Sequence, residues 1–392
     1  MITSEILLGL PAFQITSIAT HKGEVHIAAQ YTGAVECPKC QSTALRNKGK
    51  ETRKIRHVNL GQRPCFLFLQ VTRWICRACG KGFRQSLPGL LPHQRVTEAF
   101  KLFIHQEHLD GINRSRLARR EKIGAATAER YFQRGLALQF KEWHPPQCPQ
   151  VLGIDEHFFT RKKGFATTFC DLGNHKIYDV VLGRSELALA PYLQALEGKD
   201  AVRMVCMDLC ATFRAIARQH FPNAVIVADR FHTVRLVNHH FLNCWREIDA
   251  VSSKNRGLLS LMRRHRCNLK EGQWEKLSEY LERFPAMGEI YRFKQRLCDL
   301  LLIKHRTRKQ CGKLLPRFLR AVRQLLESQL PHLVTLGETL RNWSQEIVAM
   351  WRFTKNNGIT EGFHTKMEMI SRQAFGFRNF ENYRRRVKVL CG

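Results

Sequence analysis

Acidic side chains are scarce in this chain of 392 residues. It contains 33 Asp+Glu against 64 Lys+Arg, which leaves a formal net charge of +31 at pH 7. A hydrophobic fraction of 44% excludes a disordered basic tail, because it can fill folded cores. Nucleic acid is the polyanionic partner that fits best, since the basic residues are spread along folded-looking sequence. The alternative is a surface that is basic for solubility alone, although a neutral surface would serve equally well.

Long apolar runs are also missing. No run reaches the roughly 18 residues that a membrane-spanning helix needs, so we expect no membrane partner. The apolar N-terminal stretch has Glu5 just ahead of it and no preceding Lys or Arg. We therefore expect no signal peptide and an intracellular protein.

Disulfides are not expected in an intracellular chain, so its fourteen cysteines are better explained as metal ligands and buried thiols. Two CxxC pairs, Cys37/Cys40 and Cys76/Cys79, flank a segment that is typical of a β-strand at 64–74. This spacing predicts a zinc ribbon over residues 1–90, in which four thiolates bind one structural Zn²⁺. A thioredoxin-like redox site is the alternative, but it needs only one such pair. We expect the segment to have little core of its own, so that Cys76→Ser unfolds it. The other ten cysteines are expected to be buried.

Residues 91–145 have the pattern of a helix-turn-helix DNA-binding domain. Apolar spacing predicts helices over 96–108, 115–120 and 125–136, with a tight turn at Gly124 between the last two. The third helix would be the recognition helix, and its exposed side carries Thr127, Arg130 and Arg134. An unspecific helical hairpin remains the alternative. The proline-rich stretch 143–150 predicts a linker.

The next segment predicts an α/β domain. Strands over 151–155, 164–172 and 175–183 form a meander, followed by a helix over 190–196 with Pro191 in its first turn. A strand over 202–208, a helix over 211–220 and a strand over 224–229 then follow. This is the order of an RNase H-like catalytic domain. In that fold the first and fourth strands are neighbours, so Asp155 and Asp208 would end side by side.

Two aspartates at adjacent strand ends can hold divalent metal ions. Their oxygens suit two Mg²⁺ ions, with Mn²⁺ as an alternative, and such a pair activates a hydroxyl or water and stabilises the leaving oxygen of a phosphodiester. Each aspartate could instead cap the helix that follows its strand. Asp229 and His232 lie near the same edge: His232 could position a base or phosphate, or Asp229 could cap a helix in which His232 packs. Glu156 points to the opposite strand face and is left out of the site.

From 236 to 347 the strand pattern stops, and we predict a helical insertion. Residues 251–330 hold 19 Lys+Arg and 7 Asp+Glu. Basic clusters such as Arg263 and Arg264 could bind phosphates, or could be a solvated helix face. The C-terminal basic residues are also expected to contact DNA; they are Arg384, Arg385 and Arg386.

The chain as a whole resembles the ISL3 family of bacterial insertion-sequence transposases. The resemblance is carried by the CxxC pairs, 153–156, 207–208, 228–232, 355–362 and 374–380. It implies a DDE transposase in which Asp155, Asp208 and Glu361 bind Mg²⁺. It also implies double-stranded DNA as partner, as terminal inverted repeats and as target, bound by a homodimer in the bacterial cytoplasm at the nucleoid. The catalytic domain would comprise 146–235 and 348–392. A non-catalytic regulator derived from a transposase and an RNase H-like nuclease are the alternatives.

Overall fold

Two compact units make up the chain in this computed structural model, which describes residues 8–90, 93–142, 147–355 and 357–392. One unit comprises residues 1–144 with 370–376, and the other comprises residues 145–369 with 377–392. Part of the predicted linker, residues 143–146, lies outside the described residues, and so does Asn356. No helix of the described chain combines the length and the apolar composition needed to cross a bilayer.

The first unit contains a five-stranded sheet. Its strands are β1 (Phe13–His21), β2 (Glu24–Tyr31), β3 (Leu45–Leu60), β4 (Arg63–Cys76) and β5 (Gly82–Arg84). The order is β1-β2-β4-β3, with β5 on β4, and only the β2–β4 pair is parallel. Alternate residues of β4 are buried because successive side chains of a strand point to opposite faces; they are Cys65, Leu67, Leu69 and Val71.

This sheet has a substantial core, so the expectation of little core in residues 1–90 is wrong. Apolar side chains from β1, β2, β3 and β4 meet on one face and are joined by residues of the flanking loops. The sequence pattern missed β1 and β2, which lie ahead of the first cysteine pair and supply Phe13, Val25, Ile27 and Ala29 to this core.

Three helices complete the described part of the first unit: α1 (Glu98–Leu109), α2 (Arg114–Glu121) and α3 (Ala125–Glu142). Thr97 and Asn113 cap the first two, each accepting a hydrogen bond from a backbone N–H of the first turn. All three predicted helices are present, and α3 extends six residues beyond the predicted end. They pack around a small apolar cluster of Phe100, Ile104, Leu117 and Ala128.

The second unit is built on another five-stranded sheet. Its strands are β6 (Val151–Thr160), β7 (Gly164–Asp171), β8 (Lys176–Leu182), β9 (Met204–Met207) and β10 (Val225–Ala228). The order is β10-β9-β6-β7-β8, in which β6, β9 and β10 are parallel and β6, β7 and β8 form the meander. The first and fourth strands of this sheet are therefore neighbours, as predicted. The largest difference in a strand boundary is in β6, which does not end at Asp155 but continues to Thr160 as one arm of a hairpin with β7.

Helices accompany this sheet. The first two are α4 (Glu186–Ala195) and α5 (Ala211–His220), with a 3₁₀ turn at Lys199–Ala201 before β9. The predicted place of Pro191 in a first turn is wrong, because Ser185 caps α4 and puts Pro191 in the helix interior. From β10 to Arg352 the described chain is helical, with α6 (Arg230–Ile248), α7 (Arg256–Arg263), α8 (Glu271–Arg283), α9 (Pro285–Leu301), α10 (Arg308–Leu326), α11 (Pro331–Asn342) and α12 (Ser344–Arg352). Two further helices follow, α13 (Gly358–Gln373) and α14 (Phe380–Cys391).

Candidate metal centres

The four cysteines of the CxxC pairs form one cluster. The sulfur atoms of Cys37 and Cys79 are 3.6 Å apart, those of Cys40 and Cys76 are 3.5 Å apart, and all four lie within 4.8 Å of one another. A tetrahedral zinc ion with Zn–S bonds of about 2.3 Å needs sulfur atoms roughly 3.8 Å apart. The four cysteines therefore fit Zn²⁺, and the predicted zinc ribbon is confirmed.

The backbone around each cysteine pair forms the same tight turn. Gln41 donates its N–H to the carbonyl of Cys37 at 2.8 Å, and Gly80 donates to that of Cys76 at 3.0 Å. Both donors have left-handed backbones, with φ of 57° and 71°, which glycine adopts easily. Backbone N–H groups point at the sulfur as a result, and the one of Cys79 is the main reason why the pKa of Cys76 falls to about 6.

Of the other ten cysteines, eight are buried as predicted, while Cys210 is half-buried and Cys267 is exposed.

Three aspartates follow three neighbouring parallel strands in one register. Ile154 of β6 pairs with Met207 of β9, and Met207 pairs with Ala228 of β10. The next residue in each strand is an aspartate: Asp155, Asp208 and Asp229. The carboxyl ends of parallel strands are where α/β proteins bind their ligands. The sheet thus brings together Asp155 and Asp208, which lie 53 positions apart in sequence, and adds Asp229.

The helix-cap explanation applies to only one of these aspartates. Asp155 lies inside β6, and the residue that caps α5 is Cys210, not Asp208. Asp229 does cap α6, because its side chain accepts a hydrogen bond from the backbone N–H of His232 at 3.3 Å. The carboxylates of Asp155 and Asp208 are therefore not needed for helix capping.

Burial makes Asp155 unusual. Its side chain is 7% exposed, and burial, together with the nearby Asp208 carboxylate, raises its pKa to about 7. Raised pKa values of this kind are common at functional sites, because holding carboxylates close together has an electrostatic penalty that a bound cation removes.

His232 bridges the other two aspartates. Its Nδ1 lies 2.5 Å from Oδ1 of Asp208 and 2.8 Å from Oδ2 of Asp229, and these carboxylates raise its pKa to about 10. Burial would raise the pKa of Asp229, but its hydrogen bonds from His232 lower it. One N–H cannot serve both acceptors well. The better-directed hydrogen bond goes to Asp229, so Oδ1 of Asp208 is held by the short ion pair to the shared Nδ1 and has no other donor among the described residues.

The ligand atoms of Asp208, Asp229 and His232 lie within 4.8 Å of one another. Carboxylate oxygens are the donors that Mg²⁺ and Mn²⁺ prefer, and Oδ1 of Asp208, which shares its partner His232 with Asp229, is a fitting ligand for such a cation. The residues at this sheet edge therefore fit a divalent metal.

Helix α13 reaches the same edge through residues that the sequence pattern did not single out. Asn357, just ahead of α13, donates its side-chain amide to the Ile154 carbonyl at 3.0 Å and its backbone N–H to Asp229 at 3.2 Å. His364 places Nδ1 3.8 Å from Asp155 and Nε2 3.2 Å from the Thr168 hydroxyl. Asn357 belongs to the 355–362 block and His364 follows Glu361 by three residues, so helical spacing could have indicated both.

Glu361 lies in the first turn of α13 and is exposed. It is one turn from Asn357 and one turn from His364, so it occupies the same side of the helix. The Glu361 carboxylate is not part of the cluster in which the ligand atoms of Asp208, Asp229 and His232 lie within 4.8 Å of one another.

The predicted DNA-contacting residues of the first unit and of the helical segment lie at the surface. Arg130 and Arg134 are exposed on α3, where Arg130 bonds to Thr127 at 3.2 Å and Arg134 pairs with Glu98 at 3.3 Å. Arg263 and Arg264 are exposed at the end of α7. Exposure leaves these side chains accessible to a partner.

The arginines of the C-terminal helix α14 are different. Arg386 is 2% exposed, so the expectation that it contacts DNA is contradicted: the guanidinium packs in the protein interior. Arg384 forms two 2.7 Å hydrogen bonds to the Asp179 carboxylate, and Arg385 pairs with Glu381 at 3.1 Å. This helix buries Arg386 and Lys388 and pairs Arg384 with Asp179 of β8, where the sequence pattern predicted contacts with DNA.

Comparison with known proteins identifies the class of the chain as transposase. The profile of the ISL3 transposases matches residues 152–387, and the zinc finger of the transposases of IS204, IS1001, IS1096 and IS1165 matches residues 34–79. The chain belongs to the ISL3 transposase family. It is 23% identical over 366 residues to the transposase for insertion sequence element IS1001 of Bordetella parapertussis, covering 90% of this chain and 88% of that protein. It is also 21% identical over 258 residues to the transposase for element IS1557 of Mycobacterium tuberculosis, covering 58% of this chain and 57% of that protein.

Proposed function

We propose that this chain is a DDE transposase that binds the terminal inverted repeats of an insertion sequence and catalyses Mg²⁺-dependent cleavage and transfer of DNA strands. The observation that carries the proposal is the row of Asp155, Asp208 and Asp229, each directly after the last paired residue of three parallel strands in one register. The strand order β10-β9-β6-β7-β8, with an antiparallel meander beside parallel strands, supports an RNase H-like catalytic domain.

Asp155, Asp208 and Glu361 are the proposed metal ligands. Two bound Mg²⁺ ions, or Mn²⁺, would supply activation of the attacking hydroxyl and stabilisation of the leaving oxygen. The raised pKa of Asp155 supports its role. A pKa of about 7 means that the protein alone stabilises the charged carboxylate poorly, and a bound cation would stabilise it. The environment of Asp208 also favours a ligand role, because its Oδ1 shares the Nδ1–H of His232 with Asp229 and has no further donor among the described residues.

Asp229 is proposed to support the site, with its two oxygens already engaged. Oδ1 accepts from the Asn357 N–H, and Oδ2 accepts from the backbone and ring of His232. Asp229 thereby ties α13 to the strand edge and orients His232 toward Asp208. For Glu361, support comes from its place between Asn357 and His364, which contact residues 154 and 155 of β6. We propose that Glu361 approaches Asp155 from this turn of α13.

A cleavage assay tests the proposal. The full chain is incubated with Mg²⁺ and DNA carrying the element's own terminal repeats, and end-specific nicks are measured. Asp155→Ala, Asp208→Ala and Glu361→Ala should each reduce cutting by about 10³-fold or more while leaving end binding intact, because each removes a metal ligand and no DNA contact. Asp229→Ala should reduce the rate without abolishing it.

Glu156→Ala is the matched control, since Glu156 is adjacent to Asp155 but pairs with Arg184 at 3.2 Å. It should cut like the natural protein. If Asp208→Ala still cuts while Asp229→Ala is inactive, the assignment of the second ligand is wrong. Binding without cutting would indicate a regulator, and cutting without end preference would indicate a nuclease.

We further propose that α2 and α3 act as a helix-turn-helix and read the terminal repeats, and that the helical segment adds sequence-independent affinity. Support comes from the short turn between the helices and from the exposed Arg130 and Arg134 on α3. Arg130→Ala should weaken binding to terminal repeats by about 5-fold or more relative to random DNA, while Arg264→Ala should weaken both equally. Equal effects on both DNAs in the Arg130 variant would contradict this division. Because paired ends must be held together, we propose a homodimer on DNA.

A further inference from the structure

A cavity lies within the helical segment, away from both metal centres in sequence. Its volume is about 850 Å³, which is in the range of small-molecule sites. The lining comes from α8, α9 and the 3₁₀ turn Arg266–Asn268, and includes Trp274, Tyr291, Arg266 and Arg296. Two aromatic rings and three arginines (Arg292 is the third) at one cavity match the two parts of a nucleotide, a flat base and a phosphate.

The hydroxyl of Tyr291 provides independent evidence that the cavity accepts a polar ligand. Tyr291 is 1% exposed, yet its hydroxyl has no hydrogen-bond partner among the described residues. The other buried tyrosine of the same apolar cluster, Tyr280, accepts from the Trp245 indole at 2.7 Å and donates to Asp249 at 2.9 Å. Buried hydroxyl groups normally have a partner, so an orphaned one on a residue that lines a cavity indicates a missing partner.

Aromatic and cationic groups already form a stacking surface there. The Arg266 guanidinium lies 4.2 Å from the Trp274 ring centroid, and the Trp274 and Tyr291 rings are 6.4 Å apart at 35°. Nucleobases stack on such rings regardless of sequence, because every base has a π face. Arg296 is exposed at the rim and has no ion pair among the described residues.

The carboxylates of the lining do not cancel this positive charge. Asp299 is held by His265 at 2.8 Å, and Glu282 is exposed to solvent. Exposed arginines continue past the cavity, since Arg263 and Arg264 directly precede His265 and Arg266. A row of cations beyond the pocket matches a continuous strand of phosphates better than one phosphate.

We propose that this cavity binds a nucleotide extruded from a DNA strand, with its base against Trp274 and in hydrogen-bond contact with Tyr291, and its phosphate near Arg266 and Arg296. The inference rests on the proposed function in one respect, because DNA supplies the nucleotide. It adds a binding site that is separate in sequence from the residues proposed for cleavage and for end recognition.

The test uses the full chain without added Mg²⁺ and compares two duplexes of equal length, one of which carries a single unpaired 2-aminopurine nucleotide. Both affinities are measured by fluorescence anisotropy, and their ratio, the affinity for the duplex with the unpaired nucleotide divided by that for the fully paired duplex, should exceed one. Stacking in the cavity should also quench the 2-aminopurine fluorescence. Trp274→Leu should reduce this ratio by about 10-fold. Tyr291→Phe, which keeps the ring and its packing, should reduce it by about 5-fold.

Two arginine variants form a matched pair. Arg296→Gln should lower the ratio, while Arg283→Gln should not, because Arg283 is equally exposed but lies outside the cavity and pairs with Glu279. A natural protein without preference for the unpaired duplex, or a ratio unchanged in the Trp274 and Tyr291 variants, would overturn the proposal. Binding of free dAMP without such a preference would also overturn it, because the site would then take a free nucleotide.

Failure here is distinguishable from failure of the proposed function. If end cutting with Mg²⁺ is normal and the affinity ratio is insensitive to Trp274, only the nucleotide site is wrong. If the ratio behaves as expected but no metal-dependent cutting occurs, the site stands and the cleavage proposal fails.

Discussion

The cysteine cluster and the aspartate row show two different ways of building a metal centre. The four thiols occupy two local turns at tetrahedral spacing, and together they would complete the coordination of one zinc ion. The aspartates come from three strands of one sheet, and part of their charge is balanced by a protonated His232. A closed set of soft ligands is typical of a structural site, whereas hard oxygen ligands that leave room for water and phosphate are typical of a catalytic one.

Removing a cysteine should have the largest structural effect. Cys76→Ser should eliminate the one bound zinc, measured by metal analysis of protein purified without chelator. Structural zinc contributes on the order of 10 kcal/mol to small zinc-dependent domains. Here we expect a more local change, because the sheet of the first unit has its own apolar core.

Hydrogen exchange should therefore rise at residues 37–42 and 76–82 while the centres of β2 and β4 stay protected. Cys267→Ser is the control, because Cys267 is an exposed thiol outside the cluster and its loss should leave zinc and exchange unchanged. Zinc-free natural protein, or full zinc content in the Cys76 variant, would contradict this prediction.

The aspartate row should make the free energy of unfolding depend on pH. Because the pKa of Asp155 is raised to about 7, the folded protein binds a proton there that the unfolded chain releases near pH 4. Without Mg²⁺, the contribution of Asp155 to the free energy of unfolding should therefore fall between about pH 4 and pH 7, by up to about 4 kcal/mol. His57, His157 and His364, whose pKa values are lowered by burial, contribute in the opposite direction over this range. The contribution of His232, whose pKa is raised to about 10, is present below about pH 6.5 and is lost as pH rises toward 10.

Urea unfolding at pH 5, 7 and 9 measures both effects. Relative to the natural protein, Asp155→Asn should gain stability between pH 5 and pH 7 and show the same change between pH 7 and pH 9. Identical profiles for the variant and the natural protein would show that Asp155 is not the titrating group.

Much of this organisation is predictable from sequence, and the exceptions have physical reasons. The CxxC turns and the alternating or apolar strands depend on local pattern, so the zinc cluster and β6 to β10 were predicted. The register that aligns Asp229 with Asp155 and Asp208 depends on strand pairing between distant segments. The roles of Asn357 and His364 depend on how α13 returns to the sheet after more than 100 residues.

At the C-terminal helix the sequence pattern assigned a role to residues that the structure uses differently. Arginines in a charge run are usually solvated, but Asp179 on β8 is buried and needs a cation, so Arg384 and Lys388 turn toward it. Charge composition alone could not reveal this partner.

The smallest predicted effect concerns that ion pair. Arg384→Ala should lower the free energy of unfolding by about 2 to 3 kcal/mol, because it leaves the Asp179 carboxylate short of a partner. Arg385→Ala should cost less than about 1 kcal/mol, since its pair with Glu381 is more exposed. Urea denaturation checks both. Unchanged stability together with weaker DNA binding in Arg384→Ala would instead assign this helix to the DNA interface.

Direct counting of bound Mn²⁺ tests the carboxylate centre most directly. The zinc-loaded full chain is titrated with Mn²⁺, and free ion is followed by electron paramagnetic resonance. We expect Mn²⁺ binding in the natural protein that is lost in Asp208→Asn and retained, though weakened, in Asp229→Asn. Unchanged binding in Asp208→Asn, or a loss confined to Asp229→Asn, would contradict the assignment of Asp208 as a ligand at this sheet edge.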